Sequence, residues 1–223
     1  MSNEEMIANC VIFFLAGYET TATTITMATY LLATNPEIQD RLHYEIDHQL
    51  TKLREESNSD ETDPVKLVTF ESLNRFEYLN AVISETLRLN APAPFIERTA
   101  AKDIQLETSD GKIRVNLKKG DVVHIPVYST HHDGQQFPDP HTFNPDRFIG
   151  EPSFHKDSYI PFGSGPRNCV ARSLALLEAK LSLLHVFNVY KLSVCEQTKI
   201  PMQFFNQGSF ISPKDCFLKV EKR

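Results

Sequence analysis

A chain of 223 residues with 41% apolar side chains has material for one sizeable core or two small ones. A net charge of −6 supplies no basic field for nucleic acid or an anionic surface, so no nucleic-acid partner is expected. Four widely spaced cysteines, Cys10, Cys169, Cys195 and Cys216, exclude a disulfide framework and a C-x-x-C zinc site, and point to a reducing compartment.

Acids at Glu4 and Glu5 occupy the place where a secretory signal carries positive charge. Ser2-Asn-Glu-Glu5 reads instead as a capping box that opens a helix ending near Asn35-Pro36. From Met6 to Leu32 only Glu19 is charged, but Asn9, Gly17 and several threonines interrupt the apolar run. The unbroken stretch Cys10–Gly17 falls well short of the roughly 20 residues of a membrane span, so a core helix is predicted and no anchor. Glu19 is a lone acid in that helix and would ordinarily face solvent or a partner. Beside it, Thr20 could bond back to a carbonyl and bend the helix, and Gly17 lets another group approach the backbone. Together they suggest a locally opened helix able to pass protons.

A polar helix is predicted from Pro36 to about Leu50, and 54–64 reads as an exposed, mobile loop. A third helix spans 75–90 with Leu79, Val82, Ile83 and Thr86 inward, and Ala91-Pro-Ala-Pro94 stops it. Glu85 and Arg88, three apart, can pair on it, ordinarily as a solvated surface pair. Ile104–Glu107 and Lys112–Val115 flank Ser-Asp-Gly111 as a hairpin, and Val122–Ile125 is a further strand. Residues 131–168 are irregular, a length that is normally functional or poorly ordered. Within them His131 and His132 diverge as neighbours do and read as surface histidines.

Residues 161–184 carry the most information. Gly163 and Gly165 permit unusual backbone angles and close approach of a ligand. They deliver Cys169 to the start of a helix in which Val170, Leu174, Leu177, Leu181 and Leu184 share one face. Unpaired N–H groups and the positive dipole end of a helix favour an anion, and Arg167 adds a cation, an environment suited to a metal-binding thiolate. The ordinary alternative is a small buried residue after a Gly/Pro turn. A tail of short strand-like runs follows.

The run Phe162-Gly-Ser-Gly-Pro-Arg-Asn-Cys169 resembles the haem-binding loop of the cytochromes P450, the haem-thiolate monooxygenases, with pattern F-x-x-G-x-R-x-C-x-G. Phe162, Gly165, Arg167 and Cys169 match it. Ala171 stands where glycine is usual and adds one methyl where the helix passes close to the ring. Ala16–Thr21 matches the family's acid–alcohol helix, Glu85–Arg88 its E-x-x-R, and Phe143-Asn-Pro-Asp-Arg-Phe148 its F-x-P-E-R-F with Asp146 in place of glutamate. The resemblance implies a mainly α fold with a small β component, the C-terminal half of the cytochrome P450 fold. Residues 1–223 would form the C-terminal haem-binding part of one domain whose N-terminal half and membrane anchor are absent.

It implies haem b (iron protoporphyrin IX) as cofactor and Cys169 as axial iron ligand. Arg167 and Arg98 would pair with the propionates, Phe162 would shield the sulfur side, and Gly163 and Ala16 would lie against the ring. Glu19 and Thr20 would be the catalytic pair that helps protonate dioxygen as its O–O bond breaks. Glu85, Arg88 and Arg147 would form a buried network that serves folding around haem.

The wording is most similar to the animal microsomal branch, which oxidises lipophilic drugs, toxins and steroids. That implies a lipophilic substrate, O2, and an NADPH-dependent reductase, with cytochrome b5 as a second electron donor. It also implies the cytosolic face of the endoplasmic reticulum membrane for the full-length parent. Rival readings are a haem-thiolate isomerase or synthase that needs no reductase, against which the intact Glu19–Thr20 pair argues, and a truncated non-catalytic chain. Ala93, Pro94 and the Gly208–Phe210 turn are the candidate remnants of a substrate pocket.

Overall fold

The computed structural model describes residues 1–57, 61, 63–207 and 210–223; Gly208 and Ser209 of the candidate pocket turn lie outside them. Helix α1 spans Asn3–Thr34 and opens on the expected capping box: Ser2 Oγ accepts from Glu5 N at 3.1 Å, and Glu5 accepts from Ser2 N at 2.7 Å. It runs unbroken through Gly17–Thr20, so the locally opened helix is not found.

Two halves of α1 differ. From Thr21 to Ala33 it is core, with Met27, Ala28 and Leu32 at most 2% exposed. Before Thr21 it stands clear, with Phe13, Phe14 and Tyr18 at 57%, 72% and 70% exposure. The core-helix expectation therefore holds only for the second half. The expectation of no anchor is not supported either: α1 is long and apolar enough to cross a membrane, and only 17% of its most apolar stretch is buried.

Helix α2 (Pro36–Ser57) continues seven residues past Leu50, and Leu53 still reaches the core. Residues 54–57 of the predicted loop are therefore helical, 58–60 and 62 lie outside the described residues, and a 3-10 turn starts at Pro64. Helix α3 (Glu77–Leu89) buries Leu79, Val82, Ile83 and Thr86 as its periodicity requires. Its N-cap residue, Phe76, offers no side-chain acceptor. Glu45 of α2 fills that role, accepting from Tyr78 N at 2.6 Å and Leu79 N at 2.9 Å.

Among the described residues the strands form four separate antiparallel pairs. β1 (Ile96–Thr99) pairs with β4 (Val122–Ile125), and β2 (Ile104–Glu107) with β3 (Arg114–Leu117) across the predicted turn, where Gly111 has φ +70°. After the short helix α4 (Val127–His131) the chain is irregular apart from 3-10 turns, one of them Pro145–Phe148, up to helix α5 (Arg172–Val189). β5 (Tyr190–Ser193) pairs with β8 (Lys219–Lys222), and β6 (Phe204–Gln207) with β7 (Phe210–Pro213).

One core joins the second half of α1 to α2, α3 and α5, through Leu32, Leu42, Ile46, Leu79, Leu183 and Phe187. Gln39 ties it to the tail, donating to the Leu32 and Leu192 carbonyls and accepting from Leu192 N, all within 2.9 Å. The architecture is mainly α with a small β component, as expected.

Candidate haem-thiolate site

The glycines shape the loop as the sequence requires. Gly163 and Gly165 have φ +72° and +76°, which side chains with a Cβ resist. Gly163 N donates to the Ile160 carbonyl at 3.0 Å, and Cys169 N donates to the Phe162 carbonyl at 2.8 Å, which closes the loop on itself. Cys169 is exposed, and all four cysteines are free thiols. It does not begin the helix: Val170 and Ala171 form a turn, and α5 starts at Arg172, three residues on. The Cys169 carbonyl accepts from Arg172 N at 3.4 Å, so the sulfur-bearing residue remains fastened to the helix entrance.

The predicted apolar face of α5 splits. Leu184 is buried, and Leu177 and Leu181 pack against the core. Val170 and Leu174 are 81% and 56% exposed. They make an apolar shelf beside the thiol, left uncovered by the described residues. Phe162 is half-buried under the Arg172 guanidinium, 5.7 Å from the ring centroid.

Arg98 on β1 and Arg167 on the loop come together, Arg98 Nη2 lying 3.5 Å from the Arg167 carbonyl oxygen; Arg98 Nη1 also donates to the Glu97 carbonyl at 2.7 Å. Both side chains are exposed and form no ion pair among the described residues. An accessible thiol, an apolar shelf and two unpaired cations suit a flat apolar group with a thiophilic metal and carboxylate edges. These residues therefore fit haem.

On α1, Thr20 Oγ1 donates to the Ala16 carbonyl at 2.7 Å, the back-bond expected of it, while Ala16 and Glu19 are exposed. The second half of α1, which begins immediately after Thr20, packs directly on α5.

Behind the loop lies the buried ion network. Glu85 and Arg88 are both 0% exposed and form a forked pair, Arg88 Nε to Glu85 Oε2 at 2.7 Å and Nη2 to Oε1 at 2.8 Å. Arg88 Nη1 also donates to the His131 and Pro140 carbonyls, each at 2.8 Å. Arg147 Nε reaches Glu85 Oε1 at 3.4 Å. The ordinary surface-pair reading of Glu85 and Arg88 is thus overturned, and the implied network is present. Asp146, the departure from the family pattern, turns outward and pairs with Arg41 at 2.8 Å through both oxygens, which holds its carboxyl below the usual range.

His131 was the main residue missed. It is fully buried, not a surface histidine; burial pushes its pKa down to about 4. Val127, four residues earlier on α4, is also buried, so the i, i+4 pairing of valine and histidine was the available signal.

A family model described as Cytochrome P450 matches residues 1–220. Cytochrome P450 3A2 of Rattus norvegicus is 40% identical over 225 residues, covering 100% of this chain and 41% of that protein. Cytochrome P450 9e2 of Blattella germanica is 38% identical over 211 residues, 92% of this chain and 36% of its own. Cytochrome P450 3A5 of Homo sapiens is 37% identical over 228 residues, again 100% and 41%. The chain therefore spans about two fifths of the length of these curated relatives. With the motifs in place and the match running almost end to end, the chain belongs to the cytochrome P450 family.

Proposed function

We propose that the chain is the C-terminal, haem-binding part of a monooxygenase that inserts one atom of O2 into a lipophilic organic substrate, with electrons from an NADPH-dependent reductase. The observation that carries this reading is the exposed Cys169 thiol on a glycine loop, flanked by an uncovered apolar shelf and two unpaired arginines. Membership of the family and the named relatives support it.

In this reading Cys169 is the iron ligand, and Val170 and Leu174 lie against the ring. Gly163 and Gly165 allow the backbone to come near it, Phe162 screens the sulfur from water, and Arg98 and Arg167 neutralise the propionates. Bound haem would supply the one-electron and oxygen chemistry, with thiolate donation favouring O–O cleavage. Thr20 holds a hydroxyl on the oxygen side of α1, one turn past Ala16, and Glu19 is the adjacent proton source. Glu85, Arg88 and Arg147 fix the loop region from behind and touch no reactant. The full-length parent would work at the cytosolic face of the endoplasmic reticulum membrane, with cytochrome b5 as a second electron donor.

Reconstitution with haem tests the assignment. The reduced carbon monoxide adduct should show the red-shifted thiolate Soret band, lost in Cys169→Ser and kept when Cys10, Cys195 or Cys216 is replaced by serine. A normal band in Cys169→Ser would overturn it.

A further inference from the structure

The irregular segment between α4 and α5 must hold its shape with few regular hydrogen bonds, and His131 sits where it meets α3. The imidazole is 0% exposed and uses both nitrogens: Nε2 accepts from Ile160 N at 2.9 Å, and Nδ1 lies 3.2 Å from the Arg88 carbonyl oxygen. Ile160 N–H can only donate, and a carbonyl can only accept. One protonation state satisfies both contacts, the neutral ring with its proton on Nδ1. Tyr159 stacks on the ring at 5.4 Å and donates its hydroxyl to the Ser84 carbonyl of α3 at 3.0 Å.

From Ile160 the chain of bonds continues into the site. The Ile160 carbonyl accepts from Gly163 N at 3.0 Å, and the Phe162 carbonyl accepts from Cys169 N at 2.8 Å. The path thus runs Arg88–His131–Ile160–Gly163 and ends beside the thiol-bearing residue.

We propose that His131 is a positioning residue for the cysteine loop, its neutral Nδ1–H imidazole transferring the rigidity of α3 to the segment that carries Cys169. The inference rests on the haem-thiolate reading for its purpose, but the linkage itself can be tested without haem. A protonated ring would set Nε2–H against Ile160 N–H. It would also add charge to a site already facing Arg88, with Glu85 neutralised by that arginine and His132 and Tyr159 the other ionisable neighbours. Burial keeps the ring neutral there.

The experiment is hydrogen exchange and 15N-histidine NMR on the haem-free 223-residue chain, with variants H131L and H131Q. Leucine offers no acceptor; glutamine carries an amide oxygen that reaches about as far as Nε2. H131L should speed exchange at Ile160, Gly163 and Cys169 by about tenfold or more relative to the α5 core amides of Leu183 and Leu184. H131Q should restore most of that protection. In the wild type, His131 should show the Nδ1–H tautomer and no titration between pH 8 and 5. With haem added, H131Q should keep the thiolate Soret band and H131L lose it at equal folded fraction. Equal acceleration of loop and core amides in H131L, or the opposite tautomer, would overturn the proposal. Should H131L fail to fold, the wild-type tautomer and the loop protection of H131Q decide. The predicted tautomer and loop protection together with no thiolate band in the full-length parent would sink the functional reading and leave the linkage standing.

Discussion

Glu85→Ala removes the acceptor of four N–H groups at once: Arg88 Nε and Nη2, Asn144 N and Arg147 Nε, at 2.7 to 3.4 Å. Arg88 has no route to water, and its remaining partners are the carbonyls of His131, Pro140 and Thr142. Its charge would stay buried without an anion, at a cost of about 3–5 kcal/mol. For a chain of this size each kcal/mol lowers Tm by roughly 2–4 °C, so a fall of roughly 6–20 °C is expected. Asp146→Asn is the control. It breaks a 2.8 Å ion pair, against 2.7 Å for Glu85–Arg88, whose members are 53% and 51% exposed, worth at most about 1 kcal/mol, so its Tm should fall by less than roughly 4 °C. The assay is thermal unfolding of the haem-free chain followed by far-ultraviolet circular dichroism at pH 7. In the cycle with Arg88→Met, the two single losses should exceed the double loss by about 1 kcal/mol or more, since each single change strands the other's charge. A Glu85→Ala chain that melts with Asp146→Asn would refute the claim that this pair is buried and structurally essential.

Three further outcomes are expected. Thr20→Ala in a full-length parent should keep haem and substrate binding but divert reducing equivalents to hydrogen peroxide; unchanged coupling of NADPH use to product would contradict its proton-delivery role. Stability should fall as pH drops from about 6.5 towards 4, because the unfolded chain takes up the proton that folded His131 refuses until about pH 4. That loss is about 3 kcal/mol for His131, with His43 and His132 shifted in the same direction by burial, and H131Q should flatten the curve measured by urea titration at several pH values. The uncovered apolar half of α1 should drive self-association of the 223-residue chain; sedimentation velocity should show oligomers that Phe13→Glu/Phe14→Glu reduces, and a monodisperse monomer would count against it.

Legibility in the sequence followed the range of the interactions. The capping box at Ser2, the hairpin at Gly111, the glycine loop before Cys169 and the pair Glu85–Arg88 all lie within a few residues of their partners, and each was readable as a local pattern. Burial of the last pair was not, because it needs Pro140, Thr142 and Asn144 to fold over α3 from more than fifty residues away. His131 was misread for the same reason. α2 runs on through Lys52, Arg54, Glu55 and Glu56, which are good helix formers despite their charge, and Leu53 anchors that stretch to the core. Glu45 caps α3 from another helix, with desolvation raising its carboxyl's pKa, and no spacing rule announces that. The start of α5 was misplaced by three residues, since apolar periodicity cannot separate a turn at Val170 from a first helical turn.

The change of support along α1 makes that helix a lever. Residues 3–20 project from a clamp that begins at Thr21, an arm of roughly 27 Å at about 1.5 Å per residue. Ala16, Glu19 and Thr20 sit at the fulcrum, where a small tilt of the arm produces the least displacement. Whatever covers Phe13, Phe14 and Tyr18 can therefore press on or release the helix with limited disturbance to the Thr20 hydroxyl. Docking on the arm is thus kept apart from the placement of that hydroxyl, whose back-bond to the Ala16 carbonyl spans the last turn before the clamp.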